Sequence, residues 1–273
     1  MIDFKELAEA LNPNQGQTLT ATPPAPTAPG YKVPAKLLSK GTTNAKTAKN
    51  TLETYILYMS PATQNAKGAD LCPFRSAGCA AACLYTAGRG KFNSVKNSRI
   101  NKANYFTEDR RTFTAQLALE LKAINKRMQK KGARAAIRLN GTTDIDHVYS
   151  LKKLAGLDVL QLENLVFYDY TKNPHKVKRY QGTPYILTFS RAEDNEAQAI
   201  ELLQRGALVA AVFNGDQLPD TWQGFKVLDG DASDDLMLTA YKDAKPGAGV
   251  VLGLKAKGDA KKDVSGFVIN LNK

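Results

Sequence analysis

Histidine and cysteine are scarce in this 273-residue chain: two of the former, His147 and His175, and three of the latter. With so little histidine, no convincing Ser-His-Asp or Cys-His nucleophile can be assembled. No run of about eighteen apolar residues occurs, which excludes a hydrophobic transmembrane helix. The G-x-x-x-x-G-K-[ST] phosphate loop is missing, and Gly88-Arg89-Gly90 lacks the rest of a dinucleotide fingerprint. Met1-Ile2-Asp3-Phe4-Lys5-Glu6-Leu7 shows no basic segment leading into an apolar stretch, so no secretory signal is expected. Clustered, unpaired thiols also fit a reducing interior, and the expectation is a cytoplasmic protein.

What is present suffices for a sizeable core, since 43% of the residues are hydrophobic. Lysine and arginine outnumber acids 38 to 26, a formal net charge of +12. The basic residues are spread over Lys91–Lys102, Lys126–Arg134, Lys172–Arg179 and Lys255–Lys262. Two readings stand: a basic solvated surface, or contact with a nucleic acid or host protein.

Phe4, Leu7, Ala8 and Leu11 have helical spacing, and Asn12–Pro34 is rich in Pro, Thr and Ala. Residues 1–50 are therefore expected to form an N-terminal helix and flexible linker, and 51–273 the compact domain. Strands are predicted at 54–59, 135–139, 165–168, 185–189, 207–213, 225–228, 250–254 and 267–271, with helices at 107–131, 145–155 and 193–205. This rhythm predicts an α/β fold with a mostly parallel sheet. The short spacing between Ala207 and Leu228 argues for a partial or irregular (β/α) barrel rather than a regular one.

All three cysteines lie within twelve residues directly after the first predicted strand, as Cys72-x6-Cys79-x3-Cys83. Pro73 keeps Cys72 out of a helix, Gly78 permits a bend, and Ala80–Ala82 allow close backbone approach. Three thiolates suit a [4Fe-4S] cluster with one iron open, or zinc completed by a histidine. Plain structural thiols are the third reading.

Strand ends in parallel α/β proteins collect functional groups. Here they are dense in polar residues: Asn140 and Asp144; Tyr168, Tyr170 and Lys172; Ser190 and Asn195; Asp229 and Asp231; Lys255 and Lys257. Each has an ordinary reading as a turn or helix cap. Their recurrence at one end of successive strands, beside the cysteines, suggests a cofactor or substrate pocket. Arg138 has apolar odd-numbered neighbours and is expected to face the sheet interior, paired with Asp144 or Asp229.

The stretches LCPFRSAGCAAACLYTAGRG (71–90), RLNGTTDID (138–146), FYDYTK (167–172), LTFSRAEDN (187–195), LDGDASD (228–234) and GLKAKGDAK (253–261) resemble the phage gene product 88 family. That resemblance implies a phage origin. The layout is also similar to radical S-adenosylmethionine enzymes, which carry a three-cysteine cluster in the loop after the first strand of a partial barrel. This second resemblance implies an enzyme in which S-adenosylmethionine occupies the open iron. The spacing differs from the C-x3-C-x2-C of that superfamily, and no Gly-Gly-Glu counterpart is found.

Overall fold

Strands form at every segment where the sequence predicts one, and two more join them. The computed structural model describes residues 30–43, 47–83, 85 and 88–271; the helix expected over 1–11 and most of the linker lie outside them. The strands are β1 (Leu38–Lys40), β2 (Glu53–Leu57), β3 (Ala135–Arg138), β4 (Leu165–Thr171), β5 (Tyr185–Ser190), β6 (Leu208–Phe213), β7 (Thr221–Trp222), β8 (Phe225–Asp229), β9 (Val250–Lys255) and β10 (Val268–Ile269). They make a single ten-stranded sheet in the order β1-β2-β3-β4-β5-β6-β9-β8-β7, with β10 also on β6. Pairing is parallel from β2 to β8, while β1 and β7 are antiparallel at the two ends. Those ends do not pair, so the sheet is not closed.

Because β1 pairs with β2 through Leu38–Leu57, the sheet begins ahead of residue 51. Leu37 is fully buried, and its N–H donates to Glu120 Oε1 at 2.7 Å. Between β6 and β8 the chain is too short for a full crossover helix and makes the β7–β8 hairpin instead. Gln223 and Gly224, with φ of 51° and 79°, form its two-residue turn.

The described α-helices are α1 (Ala77–Ala81), α2 (Asn93–Glu108), α3 (Arg110–Lys130), α4 (His147–Ala155), α5 (Pro174–Tyr180), α6 (Glu196–Gln204) and α7 (Asp235–Asp243). The helix expected over 107–131 thus starts one turn late. Asp109 leaves helical geometry, and its Oδ1 accepts the Thr112 N–H at 3.1 Å, capping α3.

Alternation gives the sheet two unlike faces. Odd-numbered residues such as Tyr55, Leu57, Ile137, Phe167 and Phe189 enter the main core with Phe113, Leu117 and Leu121 of α3. Even-numbered residues face inward, where Met237 and Ala240 of α7 pack on Ala136, Tyr168, Ile186, Leu208 and Leu252. Among the described residues no helix is long and apolar enough to cross a membrane.

Candidate functional site at the strand ends

The site is built around a buried carboxylate that never reaches it. Asp169, fully buried on the core side of β4, accepts the N–H groups of Leu139 (3.2 Å) and Asn140 (2.8 Å) and the Tyr185 hydroxyl (2.7 Å). Burial pushes its acidity down, raising the pKa despite these bonds and the nearby cations. Asn140 also donates to Asp169 and to Ile145 O, and its Oδ1 accepts the Ile145 N–H at 2.8 Å. Together they fix the loop between β3 and α4. Gly141 closes it onto β2: a Cβ there would stand 2.5 Å from the Tyr58 ring.

This loop carries the first part of the cysteine segment. Asp144 N–H donates to Leu71 O at 2.8 Å, and the Thr142 hydroxyl to Met59 O. The Cys72 sulfur lies 3.8 Å from Thr142 O and 3.5 Å from the Ala62 nitrogen, whose N–H points at it. The second part rests on the β5–α6 loop. Glu193 accepts the Ser76 hydroxyl (2.8 Å) and the Gly78 N–H (2.7 Å), while Ser76 Oγ accepts the Cys79 N–H (3.1 Å). Next along, Ala82 packs with Ala256, Ala260 and Val268 beyond β9 and on β10. The segment therefore crosses the carboxyl edge of the sheet from β2 to β9.

The three cysteines form no disulfide, are half-buried and lie within electrostatic reach of one another. Burial pushes the Cys72 thiol up to about 12, with the Asp144, Cys83 and Cys79 charges adding to it. Burial raises Cys79 too, against the pull of the Lys172 ammonium. Lys172 donates to Ser190 O (3.3 Å) and Arg191 O (3.4 Å) and lies over the Phe267 ring. Arg99 of α2 sits over Tyr58 and Tyr85, within reach of Cys83. Cations thus flank the cysteines, which suits an anionic centre. Among the described residues no three His, Cys, Asp or Glu side chains form a group that could hold one metal ion.

The other predicted residues separate into groups. Asp144 stands beside the cysteines, but its carboxylate is bonded to Thr171 Oγ1 (2.7 Å) and Lys172 N (2.8 Å), with Lys176 Nζ at 3.6 Å. Ser190 gives Lys172 its carbonyl, and Asn195 caps the turn by accepting the Ala192 N–H at 2.7 Å. Tyr168 and Tyr170 lie on the inner face; Tyr168 donates to Asp234 Oδ2 at 2.8 Å. Asp229, Asp231, Lys255 and Lys257 gather at the β8 and β9 ends, where Asp231 accepts Lys255 N (2.9 Å) and Lys257 Nζ (2.7 Å). No hydrogen bond joins that group to the cysteines among the described residues. Arg138 does face inward, but its ion contact is Asp234 at 3.9 Å, not Asp144 or Asp229. Asp144 is taken up at the opposite side of its own loop, by β4 and α5.

The histidines stand apart from the sulfurs. His147 is buried between Phe106 and Phe113, and burial, aided by Lys176 and Arg110, lowers its pKa to about 3. His175 lies exposed in the first turn of α5.

A family model described as Gene product 88 matches residues 36–271. The chain belongs to that family. No curated protein and no solved structure matches it. The match spans the sheet from just ahead of β1 to just past β10, including the cysteine segment and every candidate residue above.

In this Gene product 88 protein, three contributors escape a reading by residue type. Glu193 looks like one acid of a helix start, yet it holds the cysteine helix. Asp234 looks like a cap for α7, yet its carboxylate turns to Tyr168 and Arg138. Arg99 falls in a polar helix without an apolar stripe. Their only sequence signal is position: Glu193 and Asp234 follow strands β5 and β8 within a few residues.

Proposed function

We propose that Cys72, Cys79 and Cys83 hold a [4Fe-4S] cluster with one iron open, in a phage-encoded enzyme working in the cytoplasm of the infected bacterium. The observation that carries this reading is the convergence of all three thiols at the carboxyl edge of a parallel sheet, between Lys172 and Arg99. Zinc would lack its usual histidine ligand, since His147 is enclosed by phenylalanines. When bound, such a cluster supplies a low-potential electron, which in the radical S-adenosylmethionine-like reading cleaves that cofactor to a hydrogen-abstracting radical. The chain's own residues would hold and insulate it: Ala62 N–H points at one sulfur, and Lys172 and Arg99 offset negative charge.

The test is anaerobic reconstitution with iron and sulfide, followed by reduction with S-adenosylmethionine present. Formation of 5′-deoxyadenosine supports the enzyme; a well-formed cluster that yields none sinks the radical version.

A second reading, a cluster protein that binds nucleic acid or a host protein, is favoured by one surface. Lys122, Lys126, Arg127 and Lys130 of α3 and Lys131 just after it are exposed, with Glu53 the acid that Lys40, Arg127 and Lys131 approach. Retention of DNA or RNA that weakens steeply with salt and is lost on reversing Lys126, Lys130 and Lys131 to Glu would establish it.

A further inference from the structure

The inward face of the sheet changes character half-way along its strands. Toward the amino ends, Ala136, Tyr168, Ile186, Leu208, Val250 and Leu252 are buried in the cluster that α7 completes. Toward the carboxyl ends, Tyr58, Arg138, Tyr170, Ser190, Val212 and Leu254 are only half-buried. α7 thus covers the first set and leaves the second partly open, beneath the edge that the cysteine segment crosses.

In that half-open region Arg138 is under-used. A guanidinium has five N–H donors, and leaving them unpaired in a protein interior is costly. Its nearest carboxylate oxygen, Asp234 Oδ2, is 3.9 Å from Nη1, beyond hydrogen-bond length, and already accepts the Tyr168 hydroxyl. No hydrogen bond joins the guanidinium to another described residue, and Nε is buried without a partner. The guanidinium lies over the Tyr170 ring at 4.9 Å from its centre. Thr188, the register neighbour of Tyr170 on β5, is fully buried with its hydroxyl also unpartnered. The outer end of a guanidinium without hydrogen-bond acceptors and an aromatic face therefore share one half-open patch, with the Thr188 hydroxyl buried beside Tyr170.

We infer that this patch binds a small molecule through a monocarboxylate held on Arg138, with a flat apolar body against Tyr58 and Tyr170. The planar fork of arginine matches a carboxylate through two parallel bonds. Asp234 beside it offsets one positive charge, which favours a monoanion over a doubly charged phosphate. This ligand is the substrate in the enzymatic reading above, but its site stands on the sheet and not on what the cysteines hold.

The test uses the full chain, purified both in air and anaerobically, and follows binding of benzoate, nicotinate and indole-3-acetate by ligand-observed NMR. At least one is expected to bind saturably to both preparations. Its amide, and the Arg138→Gln protein, should bind it roughly tenfold more weakly or worse, as loss of a charge-assisted pair requires. Inorganic phosphate should not displace it. Should Arg138→Gln fail to fold because Asp234 is stranded, Arg138→Gln/Asp234→Asn restores the charge balance and serves instead. Equal binding by wild type and the folded variant, displacement by phosphate, or no saturable binding of any of the three overturns the assignment. Carboxylate binding with no cluster in either preparation would remove the cluster reading and leave this site standing.

Discussion

At position 78 a methyl group has nowhere to go. A Cβ would stand 2.3 Å from Ser265 Oγ, 2.7 Å from Phe267 Cβ and 2.8 Å from Glu193 Oε2. Gly78→Ala is expected to cost about 1–3 kcal/mol, the usual range for overpacking, seen as a lower midpoint in urea, with a lower metal content because the cysteine helix must shift. His147 offers a cleaner titration. Its folded pKa of about 3 lies below the ordinary 6.5, so the unfolded chain binds a proton that the native one refuses. Its contribution to stability is complete above pH 6.5 and is lost as pH falls from there toward 3, by about 1.4 kcal/mol per unit. His147→Leu should flatten that stretch of the stability–pH curve measured by denaturant unfolding; an unchanged slope would mean the imidazole is not the responsible group. At this scale the sequence shows which residues are polar but not which way they turn. Asn140 and Asn195 have residue types suited to a pocket, yet both spend their side chains on their own loops. Arg138 was legible as inward-facing from its alternation, whereas its neighbour Asp234 comes from a helix start far along the chain.

Among the elements, the loop after β3 ties the cysteine segment to β2 and β4, and Asp144 is its anchor. Lys176 is buried against it and also donates to Ile145 O at 3.1 Å. Lys176→Met should destabilise the fold by roughly 3 kcal/mol by leaving a carboxylate without its cation. The double change Asp144→Asn/Lys176→Met should recover part of that loss in the same unfolding measurement; a purely additive result would deny the coupling. Glu193→Gln tests the other support of the segment. It keeps the shape but weakens the charge-assisted bonds to Ser76 and Gly78, and about 1–2 kcal/mol of stability should go with them. Strands and α3 were legible because apolar periodicity marks them. α2 was not, because polar Lys102 and Asn104 share its buried turn with Ala103, Tyr105 and Phe106: Lys102 Nζ donates to Leu37 O, and Asn104 bonds Gly30 O and Ala66 N. A helix held by hydrogen bonds to the backbone ahead of the sheet leaves no hydrophobic stripe to read. The same contacts explain why Gly30–Lys40 lies against α2 and the sheet although its composition suggests a linker.

Over the whole molecule, the alternation of strand and helix foretells the parallel sheet, and the short Ala207–Leu228 interval foretells its irregular end. That β9 inserts between β6 and β8, and that β10 returns to the opposite edge of β6, follows from long-range pairing that no local pattern encodes. Those two strands matter because they bring Ala256, Ala260 and Val268 under the far end of the cysteine segment. The segment is consequently supported at both ends and in its middle, with the three sulfurs held half-buried. Burial keeps the Cys72 and Cys79 thiols protonated, so binding iron there would release their protons. The most direct measurement is the iron, sulfide and zinc content of the full chain purified without oxygen, beside a Cys72→Ala/Cys79→Ala/Cys83→Ala protein. The expected result is a brown protein with about four irons and four sulfides per chain, and a colourless variant of the same fold. Stoichiometric zinc, or no metal in a well-folded wild-type protein, would contradict a cluster on these cysteines.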